Sequence, residues 1–307
     1  MYELQQMQGL PLRMKIMKTV ARIEEWYDSH DGLIYVAYSG GIDSTVLGDI
    51  ARKLYPDIPL VFCNTGQEYP EITSFKNSQH NITTIRPKHS YKWVVDKYGY
   101  PIISKEVSKN ISRYRGAKDD VQRNLRLYGG INPTSGKMQT MGVIPKKYHY
   151  LVGAPFLISD KCCDILKKNP FKKYDKETGR SPMTGEMAFD SMARRMHYLS
   201  HGCNFYGKVH KSTPMGFWTD QDVLEYIQTY NVPYCKIYGD IIRDDNGKLK
   251  TTGERHTGCF DCMYGVQFEP ADNNRFTRMK TCDPLRHDIC INKYGQGKIL
   301  DFIGIKY

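Results

Sequence analysis

Four of the nine cysteines in this 307-residue chain fall into two pairs whose spacing suits metal chemistry. Cys162 and Cys163 are adjacent in Lys161-Cys-Cys-Asp164, and Cys259 and Cys262 flank two residues in Gly258-Cys-Phe-Asp-Cys262. Four thiolates suit either a tetrahedral Zn²⁺ or the four irons of a [4Fe-4S] cluster. Zinc sites more often separate the ligands of each half by two to four residues. Adjacent cysteines project divergent side chains, which could take two different corners of a cubane. The plainer alternative is a set of free core thiols with a coincidental Cys-x-x-Cys. A second stretch, Tyr38-Ser-Gly-Gly-Ile-Asp-Ser-Thr45, could do phosphate chemistry. Two glycines let the backbone approach an anion closely, and a following helix start aims N–H groups at it. Ser39, Ser44 and Thr45 add hydroxyl donors. No Gly-Lys-Ser/Thr follows, so this is not the Walker pattern. The plainer alternative here is a capped strand–turn–helix connection.

These stretches need elements to position them. Met14, Met17, Val20, Ile23 and Trp26 or Tyr27 recur at helical spacing and predict a helix over 10–30. Residues 33–38 and 59–63 read as buried strands and 82–86 as a third strand, with helices at 44–54 and 70–79 between them. That alternation predicts a parallel α/β sheet with helices on its faces. Residues 104–127 read as helical and basic, 129–147 as loop, 159–168 as helix, and 169–180 as a basic loop. Thr219 heads a helix over 219–227 with acids in its first turn. Residues 240–290 show few periodic segments. The expected organisation is an N-terminal helix (1–30), a nucleotide-binding α/β domain with basic insertions (31–240), and a cysteine-containing extension (241–307) folded onto it.

Composition bounds the function. The chain is 25% charged and 40% hydrophobic, which fits a globular protein, and its net charge of +11 points to an anionic partner. No apolar stretch approaches the ~20 residues that span a bilayer. The N-terminus lacks the pattern of a secretory signal. The expectation is a cytoplasmic protein whose cysteines meet a reducing compartment, with no membrane partner.

Ser39-Gly-Gly-Ile-Asp-Ser44 resembles the Ser-Gly-Gly-x-Asp-Ser signature of the PP-loop adenine-nucleotide alpha-hydrolase superfamily. Asn64-Thr-Gly-Gln-Glu-Tyr-Pro-Glu71 is similar to the Asp-Thr-Gly-x-x-x-Pro-Glu stretch of its PAPS and APS reductase branch, with Asn64 in place of Asp. Lys161-Cys-Cys with the distant Gly-Cys-x-x-Cys resembles the cluster signature of iron–sulfur APS reductases. Within 183–195, Gly185 and Ser191 match a Gly-x-Arg-x-x-Glu-Ser block in which Met187 and Asp190 replace Arg and Glu. Trp218, Thr219, Asp222, Val223, Tyr226 and Ile227 match a further segment. The resemblance spans about residues 33–265.

The resemblance implies an adenine-nucleotide alpha-hydrolase-like fold and an enzyme of sulfur chemistry. Its nucleotide, ATP or an adenylyl sulfate, would sit on Ser39, Gly40, Gly41, Asp43, Ser44, Thr45, Thr65, Gly66 and Glu68. Asp43 would serve the loop or hold magnesium through water. The resemblance assigns Cys162, Cys163, Cys259 and Cys262 to a [4Fe-4S] cluster. Lys161, Arg194, Arg195 and Arg255 are the candidates for anion or substrate contacts. The Glu-Cys-Gly-Leu-His tail of sulfonucleotide reductases, with its nucleophilic cysteine, is missing from the sequence. Cys282, Cys203 and Cys290 are the remaining catalytic candidates, each with core packing as its alternative. Related iron–sulfur PP-loop sulfurtransferases activate an oxygen of tRNA or DNA as an adenylate before sulfur replaces AMP. The expected reaction is therefore either sulfonucleotide reduction or sulfur transfer, with tRNA, DNA and a thiol or sulfur-donor protein as candidate partners. From other classes, a nucleic-acid-binding module with a structural metal and a redox sensor stay open.

Overall fold

Continuous apolar strands need cover on both faces, and the first strand has it: Ile34, Tyr35 and Val36 are fully buried. The computed structural model describes residues 2–207, 210–255 and 257–307. They form two units, one of residues 1–64, 68–86 and 170–257, the other of 65–67, 87–169 and 258–307. The boundary drawn at 240/241 falls inside the first unit, and residues 87–169 belong to the second.

The first unit is a mainly parallel sheet of β1 (Ile34–Tyr38), β2 (Leu60–Cys63), β3 (Ile82–Ile85), β4 (Ser181–Met183), β5 (Asn204–Phe205) and β6 (Lys211–Ser212), in the order β3-β2-β1-β4-β6-β5. In register, Val36 faces Leu60 and Met183, Leu60 faces Ile82, and only β5 runs antiparallel, against β6. Strand order reverses at β1, whose carboxyl end is the switch point where open α/β sheets bind ligands. The helices are α1 (Tyr2–Gln8), α2 (Leu12–Asp28), α3 (Ile42–Leu54), α4 (Pro70–Ser78), α5 (Asn169–Thr178), α6 (Met192–His201) and α7 (Asp220–Tyr230). This confirms the α/β class and the strands and helices expected from 33 to 86.

Two expectations for this unit change. In α2 the helical period holds but the buried face is Lys15, Thr19, Ile23 and Trp26, while Met14 and Met17 are exposed. Polar partners make this possible. Lys15 Nζ donates to Asp222 Oδ2 at 2.6 Å and to the Gln8 carbonyl at 2.7 Å, and Thr19 Oγ1 accepts from Trp218 Nε1 at 2.9 Å. The basic stretch read as loop at 169–180 is helix α5. Phe171 and Tyr174 pack on Tyr35, whose hydroxyl donates to Asp175 at 2.6 Å. That burial outweighs the polarity of the segment.

The second unit holds the basic stretch as two helices, Lys105–Arg115 and Asp120–Tyr128. Each is capped at its start: Ser104 Oγ accepts from Val107 N at 3.1 Å and Asp119 Oδ1 from Gln122 N at 2.8 Å. Not all of its charge faces solvent. Arg115 donates to the carbonyls of Leu151, Val152, Ala154 and Phe156 at 2.5–3.2 Å, fixing the 3₁₀ segment Lys146–Gly153. Strand Met263–Tyr264 pairs in parallel with Ile102–Ile103. Residues 275–288 are two short helices, Arg275–Cys282 and Pro284–Asp288, against the expectation of little periodic structure. Asn274 and Asp283 cap them, and those caps were readable signals. Among the described residues no helix is long and apolar enough to cross a membrane.

Candidate nucleotide loop and thiol site

β1 ends at Tyr38 and α3 begins at Ile42, so the glycine loop joins the central strand to a helix N-terminus. Gly40 needs its missing Cβ twice over: its φ is +76°, and a Cβ there would lie 2.8 Å from Ile72 Cγ2. The loop is internally bonded. Ser39 N donates to Ser44 Oγ at 3.1 Å, and Gly41 N donates to Ser39 Oγ at 3.2 Å. Ser44 Oγ and Thr45 Oγ1 donate to the Gly41 carbonyl at 2.9 and 3.0 Å. Ile42 N donates to the Tyr238 hydroxyl at 3.3 Å, which lies 2.7 Å from Thr257 Oγ1. Tyr238 and Thr257 are loop partners that sequence reasoning missed, since they lie some 200 residues away with no motif to mark them.

Gly185 earns its place in the matched block by contact. A Cβ on it would lie 2.9 Å from the Asp43 carbonyl carbon and oxygen and 3.1 Å from Ser44 N. Ser191, the other match, caps α6, its Oγ accepting from Arg194 N at 3.3 Å. Asp43 is pushed up to about 7, chiefly by burial and then by the charges of Asp190 and Asp220, with Arg194 opposing. Beside it lies a cavity of about 290 Å³ lined by Asp43, Asp220, Gln221, Lys250, Thr251 and Arg255 among others. Arg255 is exposed and pairs with Asp220 at 3.3 Å. Arg194 pairs with Asp190 and lies 3.7 Å from Glu186, so its charge is already engaged; Arg195 is half-buried on the same helix.

Glu68 is half-buried in the first unit, whereas Thr65 and Gly66 belong to the second. Thr65 Oγ1 accepts from Gln67 N at 3.2 Å, and the Gln67 carbonyl accepts from Phe260 N at 3.0 Å. This strand-end segment is therefore bonded to the Cys-x-x-Cys turn inside the second unit.

All four cysteines of the two pairs lie in that unit, and none of them forms a disulfide among the described residues. Cys162 and Cys163 occupy a short helix, Lys161–Cys163, that widens into a π turn at Asp164–Lys168. Their sulfurs are 3.9 Å apart. Cys162 is pushed far up by its bond to Cys163, by burial and by the charges of Cys163, Cys262 and Cys259. Cys163 is lowered to about 6 by the Cys162 bond, with Lys167 and Lys105 assisting. Cys262 is raised to about 12 by burial and Cys259. The four thiols thus feel one another's charge, and two lysines offset it. Among the described residues, no three His, Cys, Asp or Glu side chains are gathered as a metal site. The four sulfurs lie in one unit, two of them on one short helix, and thiolates are ligands that thiophilic metals prefer. Lys161 is exposed at the start of this helix.

The catalytic candidates separate by exposure. Cys290 is fully buried and pushed up by burial, and Cys203 is buried and raised to about 11, so both are held as thiols. Cys282 is exposed at the last turn of its helix.

A mainly parallel sheet with a glycine-rich loop at its switch point is an α/β fold of the PP-loop kind. The chain belongs to the phosphoadenosine phosphosulfate reductase domain family, whose model matches residues 33–115 and 119–263. It is 26% identical over 100 residues to a phosphoadenosine 5'-phosphosulfate reductase of Photorhabdus laumondii, a match covering 31% of this chain and 41% of that protein. Two solved structures are similar at lower identity. A phosphoadenylyl-sulfate reductase from Candida auris, in its phosphate complex, has a TM-score of 0.39 at 16% identity over 74% of this chain and 88% of that one. The U34-tRNA thiolase NcsA from Methanococcus maripaludis, with its [4Fe-4S] cluster, has a TM-score of 0.37 at 17% identity over 73% and 67%.

Proposed function

We propose that the chain is an enzyme that binds an adenine nucleotide, ATP or an adenylyl sulfate, on the loop from Ser39 to Thr45 and carries out sulfur chemistry at the adenylyl-linked centre. One observation carries this reading: the backbone N–H groups of Ser39, Gly41 and Ile42 are gathered at a helix N-terminus on the switch point, inside the family's matched region. The loop would orient the phosphates, and the cavity beside Asp43 would hold polar groups of the ligand or a hydrated magnesium ion. Cys162, Cys163, Cys259 and Cys262 would hold a [4Fe-4S] cluster. When bound, such a cluster supplies electron transfer or an iron that handles sulfur. Lys105 and Lys167 would offset its charge. The reaction is sulfur transfer or sulfonucleotide reduction in the cytoplasm, with a thiol or sulfur-donor protein as co-substrate.

The test offers ATP, APS and PAPS in parallel, with and without bulk tRNA and DNA. Sulfite release identifies a reductase, and nucleic-acid-dependent AMP and pyrophosphate identify thiolation. Neither product would overturn the enzymatic reading in favour of a binding module. Iron, sulfide and zinc analysis of anaerobically purified protein tests the cluster; stoichiometric zinc without iron would overturn it.

A further inference from the structure

The second unit contains a cavity that the nucleotide loop and the thiols do not use. It measures about 380 Å³ and is walled by helix Asp120–Tyr128 and the hairpin of Gly130–Ile131 and Met138–Gln139. Its apolar walls are Val121, Leu125 and Pro133, and its polar lining includes the amides of Gln122, Asn132 and Gln139, the guanidinium of Arg126 and the carboxylate of Asp119, which caps the helix through Gln122 N. Gln139 Nε2 is buried with no hydrogen-bond partner, a donor left unpaired in a polar cavity. Among the described residues Arg126 makes one long bond, 3.4 Å, to the Gly142 carbonyl.

Apolar walls with amide and guanidinium edges match a planar heterocycle that donates and accepts hydrogen bonds in its plane. Asn and Gln pair with the edge of adenine, and Arg with that of guanine. The volume exceeds that of a base and leaves room for its sugar. The segments that carry and precede these lining residues are basic. Lys109, Arg113, Lys118 and Lys137 are exposed, and their charged ends have no ion-pair partner among the described residues. Burial lowers the Arg126 pKa, and the nearby charge of Arg113 lowers it further. Tyr128 is 72% exposed at the end of the same helix, with His149 edge-on to it at 5.8 Å between ring centroids, and exposed aromatic rings are surfaces on which bases stack.

We propose that this cavity receives an unpaired nucleotide of a single-stranded nucleic acid, its base against Gln122, Arg126 and Gln139 and its neighbouring phosphates on Lys109, Arg113, Lys118 and Lys137. The inference rests on the sulfur-transfer reading only in naming the acceptor; strand binding itself is measured separately.

The test is fluorescence anisotropy of the full chain with labelled homopolymeric RNA and DNA strands of about 12 nucleotides, at roughly 50 and 200 mM salt. ATP binding is measured on the same preparations. Replacing the four outer cations with alanine should weaken every strand by at least about tenfold. It should also flatten the log–log salt slope by about 3, at ~0.7 per phosphate contact. Gln139→Leu should lower affinity for some homopolymers several-fold over others and leave the salt slope unchanged, because base contacts specify and phosphate contacts do not. A preference for RNA over DNA identifies a 2′-hydroxyl contact; equal affinity identifies base and phosphate alone. Absence of strand binding by the wild type, or equal binding by the four-cation variant, would overturn the proposal. Strand binding without ATP binding would sink the nucleotide-loop reading and leave this one standing.

Discussion

Replacing Gly185 with alanine tests the loop geometry most directly. Its backbone is not in the left-handed region, so alanine brings no dihedral strain, only a methyl group. That methyl would meet the Asp43 carbonyl at 2.9 Å and Ser44 N at 3.1 Å, where ordinary contact begins at 3.4 Å. Both neighbours are backbone of the first turn of α3, so the loop or β4 must retreat by roughly half an ångström. Over-packing of this kind costs about 1–3 kcal/mol. If the loop yields, the cost appears as nucleotide affinity lowered by about 5- to 150-fold. If the fold yields, it appears in urea unfolding at the same magnitude. Calorimetric titration with ATP and urea melts of Gly185→Ala together account for both routes. Gly153→Ala, whose methyl would meet nothing within 4 Å, is the control and should be neutral. A Gly185→Ala protein that matched wild type in both measurements would refute the close approach and, with it, the placement of the 183–195 block against the loop.

Lys15→Met leaves the Asp222 carboxylate buried without its cation, and should cost about 3–5 kcal/mol in urea unfolding; adding Asp222→Asn should restore part of the loss. Arg115→Ala strips four carbonyls of their donor and should cost about 3 kcal/mol, with faster amide exchange across 151–156; Arg115→Lys should not rescue it, since one ammonium cannot span four acceptors. Asp43 binds its proton more tightly folded than unfolded, so its contribution to stability is full below about pH 4 and is lost as pH rises through about 7. Urea midpoints of Asp43→Asn should lack that decline relative to wild type. Serine at Cys162, Cys163, Cys259 or Cys262 should each lower iron content, and Cys282→Ser should leave it unchanged, as read by iron and sulfide analysis.

The sheet from 33 to 86 was legible because its first two strands are apolar on both faces and its turns carry glycine and proline. The loop was legible because its chemistry is local. The four cysteines were legible as two pairs, and all four fall in the second unit, without being gathered as a metal site among the described residues. What stayed hidden depends on distant partners. Nothing local says that Lys15 rather than Met14 faces inward; Asp222 decides that from 207 residues away. Tyr35 decides likewise that 169–178 is a helix. Gly185 was recognised by motif, but its physical reason, a backbone passing within van der Waals contact of α3, is purely tertiary. The basic charge divides only in three dimensions, into Arg115, spent on carbonyls, and neighbours such as Arg113, left for solvent or an anion.

The three N–H groups of the glycine loop end on neutral hydroxyl oxygens, those of Ser44, Ser39 and Tyr238. On the proposed reading of the loop, these oxygens hold the places that phosphate oxygens would take. Ligand arrival is then an exchange of acceptors in which the number of bonds stays the same and their charge changes. Bonds to an ionised acceptor are roughly twice as strong as neutral ones. The loop should therefore discriminate by charge: a nucleotide displaces the hydroxyls at a profit that a nucleoside of identical shape does not have.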